Sequence, residues 1–235
     1  MATQAVKFLQ KKSGDEGFFV MIEGGKIDQA HHNGRAVRAL SETLAFDKAV
    51  EEVLKLVSLD DTLVIVTADH AHTMSIGGYA GREIDITGIV IEGDGDIDLG
   101  ADGKNYTILN YGNGPGFMEF NSTGAGNYTM IERSVLAKAE VADLKYKQGS
   151  AAPLSSETHG GDDVGIWAAG PMAHLFHGVH EQSYIGHVMS YAACIGPQKT
   201  RSRCLNNFSG NPAEKVSTTF VITFISLCVS LSLYW

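Results

Sequence analysis

Two short apolar runs near the start of the chain are separated by a long stretch with helical periodicity. Residues 18–22 predict a buried strand that stops at two glycines, and Thr62–Thr67 predicts a second strand. Between them, apolar residues recur with helical spacing over about 27–56. Ligands of a strand–helix–strand unit collect at the carboxyl ends of its strands. Carboxylates and an imidazole stand at both ends, which predicts a binding site there: Glu23, Asp69 and His70.

The segment Glu-Gly-Gly-Lys-Ile-Asp-Gln-Ala-His-His at 23–32 indicates metal binding. Asp28 and His32 are four residues apart, so on a helix they share a face and can bind one ion. Zinc accepts such nitrogen and oxygen ligands, and catalytic zinc keeps one position open. Taken singly, Glu23 and Asp28 could cap a helix, and the adjacent histidines could be exposed polar residues. The later Glu-Thr-His at 157–159, before two glycines, favours the metal interpretation.

The charge balance excludes a nucleic-acid partner. The formal net charge of the 235-residue chain is −9, without a basic run, whereas nucleic-acid binding requires Lys and Arg to neutralise phosphates. A phosphorylated substrate would therefore need bound cations to supply the positive charge.

Secretory features accompany this pattern. Asn-x-Ser/Thr sites occur at Asn105, Asn121, Asn127 and Asn207. Residues 1–12 do not form a signal peptide, so we expect the chain to be incomplete at its start. Cys194 and Cys204 are close in sequence with a turn between them, which favours a local disulfide over two free thiols.

The C-terminal tail predicts a lipid anchor. Residues 220–235 are apolar, uncharged and shorter than the roughly 20 residues that span a bilayer as a helix. A polar spacer and a run of small residues precede them, as in a glycosylphosphatidylinositol (GPI) signal. Ser209 is the predicted attachment residue, with Asn206, Asn207 and Gly210 as alternatives, and a short tail anchor is the rival interpretation.

Composition divides the chain into five parts. Glycines, glycosylation sites and acidic residues dominate 77–152, which predicts an inserted surface lobe. A run of aspartates at 94–102 lacks calcium-loop spacing and predicts a solvated turn instead. A core strand at 164–168 and a helix at 184–195 follow. The predicted parts are a metal-binding α/β core (1–76), the lobe (77–152), a second core part with the last zinc ligand (153–197), a linker (198–211) and a removed signal (212–235).

Six motifs together resemble a known family. They are Glu-Gly-Gly-x-Ile-Asp-x-x-His-His at 23–32, Thr-Ala-Asp-His-x-His at 67–72, Gly-Gly-Tyr at 77–79, Tyr-Gly-Asn-Gly-Pro-Gly at 111–116, Glu-Thr-His-Gly-Gly at 157–161 and His-Gly-Val-His-Glu-Gln at 177–182. In this order they are similar to the C-terminal part of animal alkaline phosphatases. The resemblance implies part of an α/β/α sandwich with a mostly parallel central sheet.

The resemblance also implies two zinc ions, one magnesium ion and a role for each matching residue. Asp28, His32 and His159 correspond to ligands of the first zinc. Asp69 and His70 correspond to ligands of the second zinc, and Glu23 to a magnesium ligand. His72 orients a ligating carboxylate, with His31 and Gln29 beside the ligands. Tyr79 corresponds to a tyrosine that reaches the neighbouring active site of a homodimer.

The implied activity is hydrolysis of phosphate monoesters through a phosphoserine intermediate, by a GPI-anchored glycoprotein on the outer face of the plasma membrane. The family's chains are about twice as long, and the serine belongs to their N-terminal half. No residue of this chain is assigned as catalytic, so we expect the fragment alone to be inactive. A parallel sheet cut between its strands is also expected to fold poorly.

Two residues depart from the vertebrate pattern: Gln29 stands in place of a histidine and Lys26 in place of an arginine. The alternatives to the phosphatase are a sulfatase, phosphodiesterase or mutase of the same superfamily, and a non-catalytic, metal-binding or receptor-like surface protein from a truncated gene. Glu23 and the Gly-Gly-Tyr segment favour the phosphatase.

Overall fold

A computed structural model describes residues 1–117, 120–122, 128–130, 134–201, 204 and 219–224. For residues 15, 120–122, 128–130 and 219–224 the description covers the backbone alone. The predicted glycosylation sites Asn127 and Asn207 and the predicted attachment residue Ser209 lie outside the described residues, and only the backbone is described at Asn121.

The helices in chain order are α1 (Ala2–Ser13), α2 (Lys26–His32), α3 (Ala36–Leu54), α4 (Lys138–Val141) and α5 (Ser183–Ala193). The strands are β1 (Phe18–Glu23), β2 (Thr62–Thr67), β3 (Ala71–His72), β4 (Met74–Ile76), β5 (Leu109–Gly114), β6 (Phe120–Ser122), β7 (Tyr128–Met130), β8 (Ser150–Pro153), β9 (His159–Gly160), β10 (Ile166–Ala169) and β11 (Thr219–Phe224). Short 3₁₀ helices span Gly14–Glu16, Ala173–Leu175 and Gly196–Thr200. Within the described part of the chain, no helix is long and apolar enough to cross a membrane.

The prediction of a single long helix over 27–56 is wrong, because the chain forms α2 and α3 with a turn between them. Gly34 in this turn has a φ of 68°, a conformation that residues with a side chain rarely adopt. A Cβ at Gly34 would also lie 3.3 Å from the ring of Pro115. In α3, Val53 is buried as predicted, but Leu44 is 71% exposed and does not belong to the apolar face.

The chain divides into two compact units. The first, which we call the sheet unit, comprises Met1–Gly24, Leu44–Asp69 and the described residues of Val164–Ser226. The second, which we call the cluster unit, includes Gly25–Thr43 and His70–Asp163.

The sheet unit contains a mixed four-stranded sheet in the order β1-β11-β2-β10. β1, β11 and β2 are parallel, and β10 is antiparallel to β2. Both strands predicted from the first apolar runs exist, but β11 lies between them. The mixed α/β class is therefore confirmed. No large parallel sheet is seen among the described residues, where the remaining sheets have two or three strands.

Both faces of strand β2 are covered by other parts of the sheet unit. Alternate residues of β2 pack on opposite faces, so Val64 contacts Val6 and Val53, whereas Leu63 and Ile65 pack near Ala192. Burying an aliphatic side chain of this size contributes about 1.5–3 kcal/mol. The strand predicted at 18–22 is confirmed as β1, but it is not buried as predicted, since Phe19 is 52% and Met21 57% exposed.

The cluster unit has its own core. Ala36 of α3 packs with Leu109 and Tyr111 of β5, and the surrounding partly buried residues are Leu40, Met74 and Ile86. β5 pairs with β4 and β8, and β3 forms a separate antiparallel pair with β9. Tyr111 of this core contacts His31 of α2, with 2.9 Å between its hydroxyl and Nδ1. Helix α2 and the β3–β9 pair bear most residues of the candidate site.

Candidate metal centre

Four imidazole nitrogens surround one carboxylate oxygen in the cluster unit. The distance from Asp28 Oδ1 to Nε2 is 3.1 Å for His72, 3.2 Å for His32, 3.4 Å for His159 and 3.7 Å for His70. The Nε2 atoms of His32 and His159 lie 3.2 Å apart. We call these five residues the histidine–aspartate cluster.

The spacing of these atoms fits a metal ion. Two ligand atoms at about 2.0–2.1 Å from a tetrahedral zinc lie about 3.3 Å from each other. Asp28 Oδ1 is buried and accepts no hydrogen bond from the described residues, which is costly without a compensating cation. Two sets of side chains in the described part of the chain could hold an ion: Asp28, His70, His72 and His159, and His32, His72 and Glu157.

Helix α2 presents the first two members of the cluster. Asp28 and His32 are one turn apart and face the same side, as the sequence predicts. Ile27 and Ala30 on the same short helix are 0% and 3% exposed, so its apolar face is packed. The helix therefore cannot rotate to turn the two ligand groups away without exposing that face.

The β3–β9 pair bears two more members of the histidine–aspartate cluster. His72 lies opposite His159, and Ala71 lies opposite Gly160. Directly opposed residues of an antiparallel pair carry neighbouring side chains, so this register brings two distant histidines together. The pairing requires a glycine at 160, because a Cβ there would lie 2.7 Å from the carbonyl oxygen of His72.

Gly160→Ala is expected to separate β3 from β9, to lower the unfolding free energy by about 1–3 kcal/mol, and to weaken zinc binding by at least about tenfold. A zinc competition titration with a thermal melt measures both quantities. Gly161→Ala is the matched control, since a Cβ there meets nothing within 4 Å. Equal zinc affinities for the two variants would contradict this role of Gly160.

Backbone carbonyls determine which ring nitrogen carries the hydrogen in two of the imidazoles. His32 Nδ1 lies 2.6 Å from the carbonyl oxygen of Glu157, and His70 Nδ1 lies 3.1 Å from that of Ala71. A carbonyl oxygen only accepts, so each Nδ1 carries the proton and each Nε2 presents a lone pair toward Asp28. This is the arrangement that ligating histidines adopt around metals.

The electrostatics of the cluster favour a neutral imidazole at His159. Burial, followed by the neighbouring His70, His72 and His32, lowers the pKa of His159. Burial raises the pKa of Glu157, but hydrogen bonds from His72 and Thr73 outweigh it, and the net pKa is lowered. A neutral histidine beside an ionised carboxylate is the form that binds a cation near neutral pH.

His31 is buried beside the cluster, on the opposite side of α2 from solvent. Its Nδ1 lies 2.9 Å from the Tyr111 hydroxyl, and its ring stacks on His72 with centroids 4.4 Å apart. Burial, with His72 as the second cause, lowers the pKa of His31 from 6.5 to about 3. The folded chain therefore keeps this imidazole neutral.

The metal-free chain is expected to lose stability as the pH falls from about 6.5 toward 3. His31 binds a proton more weakly in the folded state than in the unfolded state, so its contribution is fully present above the unfolded pKa. The shift of its pKa corresponds to a few kcal/mol, since one unit is about 1.4 kcal/mol. Chemical denaturation in chelator at several pH values measures this loss. His31→Asn is expected to flatten the profile, and the exposed His187→Asn is expected to leave it unchanged; equal profiles for both variants would contradict the account.

The structure brings together five of the residues selected from the sequence, namely Asp28, His32, His70, His72 and His159. Glu23 and Asp69 belong to the sheet unit, where Glu23 ends β1 and Asp69 follows β2. In the sheet, Glu23 is level with Thr67, with β11 between them.

The two residues that depart from the family pattern contact each other. Lys26 Nζ donates to Gln29 Oε1 at 2.8 Å on the exposed side of α2.

Tyr79, predicted to reach a partner subunit, is 87% exposed. Cys194 and Cys204 form a disulfide with Cα atoms 5.5 Å apart, which confirms the predicted pairing.

Among the predicted glycosylation sites, Asn105 is the one whose side chain is described. It is 4% exposed, and its amide makes hydrogen bonds in both directions with the backbone of Leu136. A glycan on this nitrogen would replace one of its hydrogens beside the carbonyl oxygen of Leu136, in a place with little open space.

Sequence reasoning missed the residues that support the cluster. Glu157 was selected only as part of a motif, and Tyr111 and Asn113 only as matches to a family pattern. The signal for Glu157 was its place two residues before His159, next to two glycines. Its partners lie far away in the sequence, so no local pattern could identify them.

Comparison with known proteins assigns the family. The family model for alkaline phosphatase matches residues 1–195. The chain belongs to the alkaline phosphatase family. It is 44% identical over 196 residues to the tissue-nonspecific alkaline phosphatase of Felis catus, which covers 83% of this chain and 34% of the relative.

Other relatives of this family give similar values. The tissue-nonspecific isozyme of Gallus gallus is 43% identical over 227 residues, which is 97% of this chain and 40% of that protein. The alkaline phosphatase of Gadus morhua is 42% identical over 199 residues, covering 85% of this chain and 38% of that protein. The chain thus spans between a third and two fifths of the relatives' length.

Proposed function

We propose that this chain supplies metal ligands to an alkaline phosphatase that hydrolyses phosphate monoesters. The observation that supports this most is the histidine–aspartate cluster, in which four imidazole nitrogens lie 3.1–3.7 Å from Asp28 Oδ1. The proposed ligands are Asp28, His32 and His159 for the first zinc, Asp69 and His70 for the second zinc, and Glu23 for magnesium.

The metal ions, when bound, would supply positive charge that stabilises the attacking and leaving oxygens of the phosphoryl group. The chain's own residues would hold the ions and orient the ligating side chains. The backbone carbonyls of Glu157 and Ala71 keep the Nε2 lone pairs of His32 and His70 directed inward. Asp28 contributes the negative charge around which the imidazoles gather. The chain has 27 Asp and Glu against 18 Lys and Arg and no basic run, so the ions would supply the positive charge that binds the phosphate.

The nucleophile of this proposal is a serine in the N-terminal half of the family's longer chains, and no residue of this chain takes that role. The proposed layout of the remainder keeps the sequence prediction: a metal-bearing core of a larger α/β/α fold, a surface lobe over 77–152, and a GPI signal over 212–235. The protein would be a homodimer on the outer face of the plasma membrane, with Tyr79 at the subunit contact. The disulfide is consistent with passage through an oxidising compartment.

The test is made on the native protein. It is released from cells with a phosphatidylinositol-specific lipase, deglycosylated and sized with an antibody to this region. The released protein is expected to be larger than 25.2 kDa and to hydrolyse p-nitrophenyl phosphate. Chelation is expected to abolish this activity, and zinc with magnesium is expected to restore it. A released protein of about this chain's mass that is inactive with both ions present would instead support the non-catalytic surface protein.

A further inference from the structure

Glu157 lies beneath the cluster, 1% exposed, and is not among the proposed ligands. Its Oε2 accepts a hydrogen bond from His72 Nδ1 at 2.8 Å. Its Oε1 accepts two from Thr73, from the backbone N–H at 2.7 Å and from the hydroxyl at 2.8 Å. Both carboxylate oxygens therefore already have donors. A buried carboxylate with this many hydrogen bonds fixes the positions of the groups that donate to it.

The backbone of Glu157 holds a second member of the cluster. Its carbonyl accepts from His32 Nδ1, and its N–H donates to the carbonyl oxygen of His32 at 3.0 Å. His159 follows two residues later. One residue thus connects α2, the end of β3 and the start of β9, the three segments that bear most of the cluster.

A strand behind Glu157 keeps this residue in place. Gly114 has a φ of 133°, and a Cβ there would lie 3.1 Å from the Cβ of Glu157. Asn113 binds the next residue twice, accepting from the Thr158 N–H at 2.9 Å and donating to its hydroxyl at 2.8 Å. The Tyr-Gly-Asn-Gly motif, which the proposed chemistry does not use, supports Glu157 and the strand that follows.

We propose that Glu157 is a positioning residue of the zinc site, which orients His32 and His72 and aligns His159 without contacting the ion. The inference rests on the proposed function, because it takes the cluster to be a zinc site. His32, His72 and Glu157 also form one of the sets that could hold an ion. That arrangement would need a Glu157 oxygen or a His Nδ1 that is already hydrogen-bonded here, so support rather than ligation is the role that the contacts favour.

The test compares Glu157→Gln with Glu42→Gln in the whole chain. Within the described part of the chain, Glu42 forms an ion pair with Arg38 on a partly exposed face of α3 and contacts no member of the cluster, so it is the matched control. Zinc affinity is measured by competition titration, and the ligand field by the visible absorption of the cobalt-substituted chain. Loss of a supporting partner costs about 10–100-fold in metal affinity. Glu157→Gln is therefore expected to bind the same number of zinc ions about 10–100-fold more weakly, with an altered cobalt spectrum, and Glu42→Gln is expected to match the parent.

Two results would overturn the inference. An affinity and a cobalt spectrum equal to the parent would show that Glu157 positions nothing, and loss of one whole equivalent of zinc would make it a ligand. Circular dichroism shows whether Glu157→Gln folds. If it does not, Thr73→Val tests the role of Glu157 in its place, because this variant removes one donor to Glu157 and leaves every proposed ligand. It is expected to weaken zinc binding and alter the cobalt spectrum, and a parent-like result overturns the inference. A parent chain that binds no zinc would refute the proposed function itself, whereas parent-like variants of a zinc-binding chain refute only the role of Glu157.

Discussion

Asp28→Ala is expected to lower the zinc affinity of the chain by more than the roughly 10–100-fold that loss of a supporting residue costs. The variant removes the one oxygen that lies within 3.7 Å of four imidazole nitrogens. It also removes the only carboxylate charge of the cluster. Calorimetric titration of the metal-free chain with zinc measures the change.

Two variants accompany this measurement. Asp28→Asn keeps the side-chain shape and removes the charge, so an intermediate affinity is expected. Asp47→Ala on the exposed part of α3 removes an equal charge elsewhere and is expected to bind like the parent. Parent-like binding by Asp28→Ala would show that the cluster is a hydrogen-bonded core of histidines and not a metal centre.

Deleting residues 212–235 is expected to unfold the sheet unit of this chain. β11 pairs in parallel with β1 on one side and with β2 on the other, so its loss leaves the facing edges of both strands without partners. Each lost hydrogen bond costs about 0.5–1.5 kcal/mol, and the whole free energy of unfolding of a domain is about 5–15 kcal/mol. Circular dichroism and a urea melt are expected to show loss of strand signal and of the cooperative transition.

Deletion of 225–235 alone is the control, because it retains β11. If both shortened chains melt like the parent, β11 contributes nothing to the fold. The same experiment bears on the proposed lipid anchor, since cleavage at Ser209 would remove β11. In an anchored molecule another segment must then pair with β1 and β2, because two facing open edges invite aggregation.

The elements with strong local signals were predictable from the sequence. β-branched residues identified β2, and the spacing of Asp28 and His32 placed both on one helix face. The turn at Gly34 was missed because a single residue with a positive φ does not disturb the apolar periodicity on either side. The apolar run that contains β11 fits a removed signal and a central strand equally well, since hydropathy does not distinguish between them.

The sequence predicted which residues form the site but not the contacts that orient them. Motifs identified Asp28, His70 and His159, but the contacts that orient them join residues far apart in the chain, such as Glu157 with His32. Register decides these contacts: His72 meets His159 because Ala71 pairs with Gly160, and no pattern within either segment specifies that pairing. The buried neutral state of His31 likewise depends on Tyr111 and on packing, which the sequence does not display.

The zinc K-edge X-ray absorption spectrum of the zinc-loaded chain tests the central claim most directly. The account predicts nitrogen and oxygen neighbours at about 2.0–2.1 Å, with the multiple-scattering pattern of several imidazoles, and loss of that pattern in Asp28→Ala. A chain that retains no zinc after desalting, or a zinc ion surrounded by oxygen alone without imidazole scattering, would contradict it.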